Sequence, residues 1–482
     1  MNQSESGADP GAHGTRAGRA IPPDFLLGAA TAAYQIEGAS HLDGRTDSIW
    51  DVFSRVPGAV VGGDTGEVAC DHYHRYRDDV KLMADLGLGA YRFSTSWSRV
   101  RPDGGPVNAQ GLDFYSRLVD ELLAAGIAPW LTLYHWDLPQ TLEDAGGWTN
   151  RDTAYRFAEY ALSVHDALGD RVQSWTTLNE PWCASFLSYI AGEHAPGRQD
   201  PSAGLAAGHH LLLAHGMAVE QLRARDETLT LGITLNLTVA DPVDGTDAAD
   251  LDAARRIDGQ FNRFFLDPIF RGEYPADVLA DIAGLGLDRH VRPGDLATIS
   301  SPIDSLGINY YHGDLVGARP SPSPMTTAAP SEREKRSPFP AAEGVFWHLR
   351  DLPLTAMDWE VQPEGLTRLL RRVHDDYTSG AGVALVITEN GAAYDDVVDP
   401  DGSVHDADRV DFVRAHLSAV LDAIDDGVPV GGYFYWSLLD NFEWAWGYEK
   451  RFGIVRVDYD TQRRTLKDSA IDLGRMIRDR VL

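Results

Sequence analysis

Short apolar runs of strand length alternate with amphipathic segments along almost the whole chain, and this alternation restricts the fold more than any other feature. The runs cover residues 26–33, 90–95, 128–134, 172–178, 229–237, 305–308, 383–388 and 432–436. Between them, segments such as 73–86, 111–125, 154–168, 205–224 and 410–425 carry apolar residues at three- and four-residue spacing. That spacing marks helices with one buried face. Strands separated by helices pair in parallel, and eight such units predict a closed (β/α)8 TIM barrel of the α/β class. A length of 482 residues would by itself suit about three domains. Barrels with insertions nevertheless exceed roughly 400 residues as one domain, so residues 21–482 are read as a single catalytic-type domain with long loops on one face. Residues 317–340 are rich in Pro, Ser, Ala and Thr, too polar to pack as an element. They follow the sixth run and read as a rim loop, with an interdomain linker as the alternative.

Composition excludes several classes of partner. A formal net charge of −30 argues against nucleic acid, whose phosphates need a basic face. No apolar run is long enough to span a membrane. The first 20 residues are rich in Gly, Ser and charge, lack the apolar stretch of a secretion signal, and read as a disordered tail. A cytoplasmic location follows. Cys70 and Cys183 are the only cysteines, no disulfide framework, although one bridge between them is open.

Two glutamates stand at the ends of apolar runs: Glu180 within Thr177-Leu178-Asn179-Glu180-Pro181, and Glu389 within Ile387-Thr388-Glu389-Asn390-Gly391. A carboxyl there is costly to bury unless it is paired, yet the carboxyl ends of barrel strands line the site in such folds. Acetal hydrolysis needs one carboxylic acid to protonate the departing oxygen and one carboxylate to meet the oxocarbenium-like carbon. Pro181 ends one strand because it cannot extend the ladder, and Asn390-Gly391 reads as a turn that ends the other. Each glutamate alone would be read as a turn cap; two in matched contexts point to chemistry.

Asn179-Glu180-Pro181 and Thr388-Glu389-Asn390-Gly391 resemble the acid/base and nucleophile motifs of the retaining family 1 β-glycosidases. The likeness begins at Phe25-Leu26-Leu27-Gly28 and Tyr34-Gln35-Ile36-Glu37-Gly38, and continues through Tyr91-Arg92-Phe93-Ser94 and His135-Trp136-Asp137. It resumes at Gly307-Ile308-Asn309-Tyr310-Tyr311 and ends with Trp436-Ser437 and Asp440-Asn441-Phe442-Glu443-Trp444. The resemblance implies a β-glucosidase that acts on terminal β-D-glucosyl residues, and on galactosyl or fucosyl ones in some members, by double displacement. It implies no cofactor and no metal. Glu180 would be the acid/base and Glu389 the nucleophile. Gln35, His135, Asn179, Glu443 and Trp444 would hold sugar hydroxyls, and Trp436 would floor the sugar. Arg92, Asn309 and Tyr311 would contact the nucleophile, while Trp136 and, on the aglycone side, Trp182 and Trp359 are candidate ring contacts. Glu443 in place of the phospho-sugar branch's Ser implies unphosphorylated glycosides or oligosaccharides, with Lys450 and Arg451 as the nearby cations that weigh the other way. Trp446 falls at a variable position without an assigned role. Family habit leaves room for a homo-oligomer.

Two other readings stay open at this stage: a transglycosylase that passes the intermediate to a sugar or alcohol, and a silent sugar-binding barrel, since fold does not dictate function. The histidines of Asp71-His72-Tyr73-His74, His209-His210 and His215 match no zinc spacing and read as structural. Cys183 is given no chemical role.

Overall fold

The computed structural model describes residues 18–321 and 333–482. Eight parallel strands form a ring: β1 (Leu26–Ala30), β2 (Ala90–Ser94), β3 (Ala128–Tyr134), β4 (Ser174–Asn179), β5 (Thr230–Asn236), β6 (Ser305–Asn309), β7 (Ala384–Asn390) and β8 (Val430–Trp436). Neighbours in the chain are neighbours in the sheet, and β8 closes on β1 with Ala30 opposite Trp436. Every apolar run therefore supplies one strand. The first run is shorter than expected, because the chain leaves the sheet after Ala30 and turns helical at Ala33–Ile36. Its alanines carry no strand preference to oppose that turn.

Strand alternation separates two cores. On β2, Tyr91 and Phe93 pack outward with the helices, whereas Ala90 belongs to the cluster that fills the barrel with Trp130, Val386 and Phe434. Trp130 meets Phe434 edge-on, with ring centroids 5.4 Å apart, and its Nε1 donates to Thr176 Oγ1 at 3.0 Å. Arg92, two residues past Ala90, points the same way and emerges above this plug.

The helices expected from periodicity are present, among them His72–Leu86, Asp152–Leu168 and Pro201–Arg225. The candidate metal histidines are spent on internal bonds. His72 meets Asp79 at 2.8 Å, His209 meets Asp295 and Tyr274, His210 meets the Trp148 carbonyl, and His215 meets Thr177. Cys70 and Cys183 are both free thiols.

Two boundary expectations need correction. Residues 18–20 are bound rather than part of a tail: Gly18 N–H donates to the Leu482 carbonyl, and Arg19 pairs with Asp422 and Asp425 at 2.6 Å each. Residues 1–17 lie outside the described residues, as do 322–332 of the rim segment. Of that segment's described parts, 317–321 and 333–340, only Gly317 belongs to an element, as the last residue of the strand Asp314–Gly317, and Lys335–Phe339 borders the barrel mouth. Beside it, Ala240–Pro242, Asp314–Gly317 and Phe346–His348 form a small three-stranded sheet. Among the described residues no helix is long and apolar enough to cross a membrane.

Candidate active site

A cavity of about 420 Å³ opens at the carboxyl ends of the strands. Ten of the residues singled out from the sequence line it: His135, Trp136, Glu180, Asn309, Tyr311, Trp359, Glu389, Trp436, Glu443 and Trp444. Gln35, Arg92 and Asn179 lie behind this wall, each bonded to a lining residue. Three lining residues have left-handed backbones, Trp136 at φ 78°, Glu180 at φ 46° and Trp444 at φ 48°. Non-glycine residues adopt such angles at a cost that the surrounding structure must offset, and they concentrate at functional sites.

Glu180 follows β4 directly, and Pro181 stands at the start of the helical segment that continues as Cys183–Ala191. Proline is well suited to a first helical position, because the N–H it lacks would be unpaired there. Glu389 is still within β7. The reading of Asn390-Gly391 as a turn does not hold. Asn390 remains in the strand, donating to the Tyr310 carbonyl at 2.6 Å and accepting from Tyr433 at 2.7 Å. Gly391 is required for space instead: a Cβ there would stand 1.7 Å from the Trp436 carbonyl oxygen.

The two carboxyls have unlike partners. Glu389 Oε1 accepts from Arg92 Nη1 at 2.6 Å, and its Oε2 accepts from the Tyr311 hydroxyl at 2.6 Å. Glu180 Oε1 accepts from Asn309 Nδ2 at 2.6 Å, and its Oε2 from the Cys183 thiol at 3.0 Å. Arg92 also donates to Asn179 Oδ1 at 2.7 Å, and Asn309 reaches the same oxygen at 3.1 Å. Asn309 was expected beside the nucleophile, but its strong bond is to Glu180. Burial raises both carboxyls. Arg92 and Tyr311 oppose the rise at Glu389, whereas Glu180, with neutral donors and the charge of Glu389 nearby, is pushed up to about 8. The proton of the pair therefore sits on Glu180.

The far wall is formed by His135, Trp436, Glu443 and Trp444, with Gln35 behind Glu443. The His135 ring lies between Trp436 and Trp444, with centroids at 5.7 and 5.9 Å, and burial with the charge of Arg92 keeps it neutral. Gln35 Nε2 donates to Asn441 Oδ1 at 3.0 Å and the Phe442 carbonyl at 2.8 Å, tying down the loop that carries Glu443. Gln35 Oε1 and His135 Nδ1 are buried without a protein hydrogen-bond partner. A buried polar atom left so is costly, and a hydroxyl-rich ligand would satisfy both. Glu443, half-buried and beside Glu389 and Glu180, is pushed up to about 8 by loss of solvent and their charges.

Residues 18–480 match the family model of glycosyl hydrolase family 1. The chain belongs to that family. Thermostable beta-glucosidase B of Thermobispora bispora is 53% identical over 456 residues, 94% of this chain and 89% of the relative. A bifunctional beta-D-glucosidase/beta-D-fucosidase of Bifidobacterium breve is 49% identical, covering 95% of this chain and 98% of its own. The crystal structure of a psychrophilic beta-glucosidase from Micrococcus antarcticus superposes with a TM-score of 0.94 at 58% identity, over 96% of this chain and 98% of that one.

Beside Trp182, the wall of this family 1 barrel includes Phe261, Phe339 and Trp347, which the sequence does not single out. Trp182 packs on Phe261 and Phe339, at 4.5 and 5.4 Å between centroids, and Phe339 on Trp347 at 5.3 Å. These rings come from four separate segments, so no local pattern announces them. Cys183 had a signal: it lies three residues after Glu180 where the chain turns helical, and that spacing puts side chains on one face.

Proposed function

We propose that the chain hydrolyses terminal, non-reducing β-glucosyl residues of small glycosides with retention of configuration. The unequal partners of the two carboxyls carry this reading. Glu389, held ionised by Arg92 and Tyr311, attacks the anomeric carbon while the bond to the aglycone oxygen breaks. Glu180 gives its proton to that oxygen, and the aglycone leaves as an alcohol or phenol. A water then enters on the same face. Glu180 removes its proton, the new oxygen bonds to the anomeric carbon, and the ester to Glu389 breaks. Two inversions give net retention.

The cations that had weighed toward phosphorylated sugars are engaged elsewhere, which supports a neutral sugar. Lys450 donates to the Ala356 carbonyl at 2.8 Å and lies over the Trp446 ring, which also lines the cavity. Arg451 pairs with Asp440 at 2.7 Å. The negative charge shared by Glu389, Glu180 and Glu443 would disfavour a phosphate, while the Glu443 carboxyl would hydrogen-bond sugar hydroxyls. The name of the Bifidobacterium relative supports β-fucosides as additional substrates.

The deciding experiment is a nitrophenyl glycoside panel run on wild type and Glu389→Gly. Hydrolysis should vanish in the variant, and azide should restore release of the nitrophenol, with the glycosyl group recovered as the inverted glycosyl azide. Wild-type rates in Glu389→Gly would overturn the assignment.

A further inference from the structure

We infer that Cys183 is a positioning residue for the acid, its thiol being the reversible hydrogen-bond partner of the Glu180 oxygen that gives and takes the proton. The inference rests on Glu180 being the acid/base.

The two oxygens of Glu180 are not equivalent. Thr388 Oγ1 donates to Asn309 Oδ1 at 2.7 Å, which orients the Asn309 amide so that its NH2 faces Glu180. An amide N–H can only donate, so Oε1 remains an acceptor in both protonation states. The transferable proton therefore belongs on Oε2, whose protein partner is Cys183 Sγ at 3.0 Å. Asn236 Nδ2 approaches the same sulfur from its other side at 3.5 Å, as a donor. The sulfur lone pairs thus face Asn236, and the S–H is left for Glu180.

A thiol suits this place because it is a weak donor and a weak acceptor with a rotatable hydrogen. When Oε2 is ionised, S–H donates to it. When Oε2 carries the proton, S–H turns away at little cost, and the O–H is free for the departing oxygen. A hydroxyl would hold the carboxylate more firmly, and a methyl would leave buried Oε2 with no donor at all. Burial and the Glu180 charge push the thiol far up, so it stays an S–H throughout. Glu389, Glu443, Tyr311 and Arg92 also face Glu180, and Glu193 faces Cys183. All are common to the variants below.

The test is the alkaline limb of kcat/KM for p-nitrophenyl β-glucoside in wild type, Cys183→Ala and Cys183→Ser. The Ala variant should move the limb up by about half a pH unit and the Ser variant down by a similar amount, because only a donor favours the charged form. The acid limb should stay in place. A packing role would lower rate or melting temperature without splitting the limbs in opposite directions. Limbs that stay put, or move the same way, overturn the inference. Wild type offers a second measurement that needs no folding of a variant. Cys70 donates to the Asp440 carbonyl, away from the site, so one S–H infrared band should hold constant while the Cys183 band shifts as Glu180 titrates. Two stationary bands overturn the inference. Azide rescue of Glu180→Gly to the β-glycosyl azide tests the parent assignment separately. Without rescue that assignment fails; with rescue and unmoved limbs only the role of Cys183 fails.

Discussion

Behind the loops that follow β7 and β8, Asp396, Asp406 and Asp440 meet Arg409, Lys467 and Arg451, whereas at the barrel mouth Arg92 pairs with Glu389, and Glu180 and Glu443 stand beside that pair. Asp406, Asp440, Glu180 and Glu389 are buried, the Asp396 side chain is 1% exposed, and Glu443 is half-buried. In the first cluster each carboxylate has a cation: Arg409 pairs with Asp396 and Asp406, Lys467 with Asp396 and Asp440, and Arg451 with Asp440. Burial would raise Asp440, but Lys467 and Arg451 hold its carboxyl below the ordinary value. In the second, Arg92 is bonded to Glu389 and tempers Glu180 by its charge alone, and Glu180 and Glu443 rise to about 8. Balanced charge builds a fastening that no proton enters. Unbalanced charge stores a proton at neutral pH, the property general acid catalysis needs.

Removing the cation paired with Glu389 gives the largest expected effect. Arg92→Met should lower kcat/KM by about 10³-fold, as loss of a preorganised charged donor does, and raise the acid limb of the pH profile as Glu389 loses its counter-charge. Steady-state kinetics across pH would check it, and an unmoved acid limb would show that Arg92 does not keep Glu389 ionised. The matching change in the balanced cluster should act on stability. Lys467→Met should cost about 3 kcal/mol, toward the low end for a broken buried pair because Asp396 and Asp440 keep their other cations. Denaturant unfolding measures the loss, while the acid limb should hold its wild-type position. The smallest effect is the alkaline limb itself. As pH rises through the value near 8 at which Glu180 loses its proton, kcat/KM for a poor leaving group should fall about tenfold per unit. For 2,4-dinitrophenyl β-glucoside, whose departing oxygen needs no proton, the fall should be shallower. Equal limbs for both substrates would mean that another group, Glu443 foremost, sets the limit.

Much of the fold was legible because a closed parallel barrel buries its strands among helices and so writes them as apolar runs. All eight runs became strands. Expectations failed where local rules met a tertiary neighbour. Asn390-Gly391 reads as a turn by residue type, yet the Trp436 carbonyl demands the glycine and Tyr310 and Tyr433 engage the asparagine in an intact strand. Of the aromatic wall only Trp182 was legible; Phe261, Phe339 and Trp347 were not, because they meet it only after folding.

By itself the sequence determined the barrel, the family and the pair of glutamates, since strand periodicity and short motifs are local properties. The family resemblance named Glu180 as the acid/base, but the physical reason it holds the proton lies only in the tertiary structure. Arg92 lies 297 residues from Glu389 and Tyr311 lies 78 from it, and Asn309 lies 129 from Glu180. An electrostatic environment is a sum over neighbours within a few ångströms, and these neighbours meet only when the barrel closes.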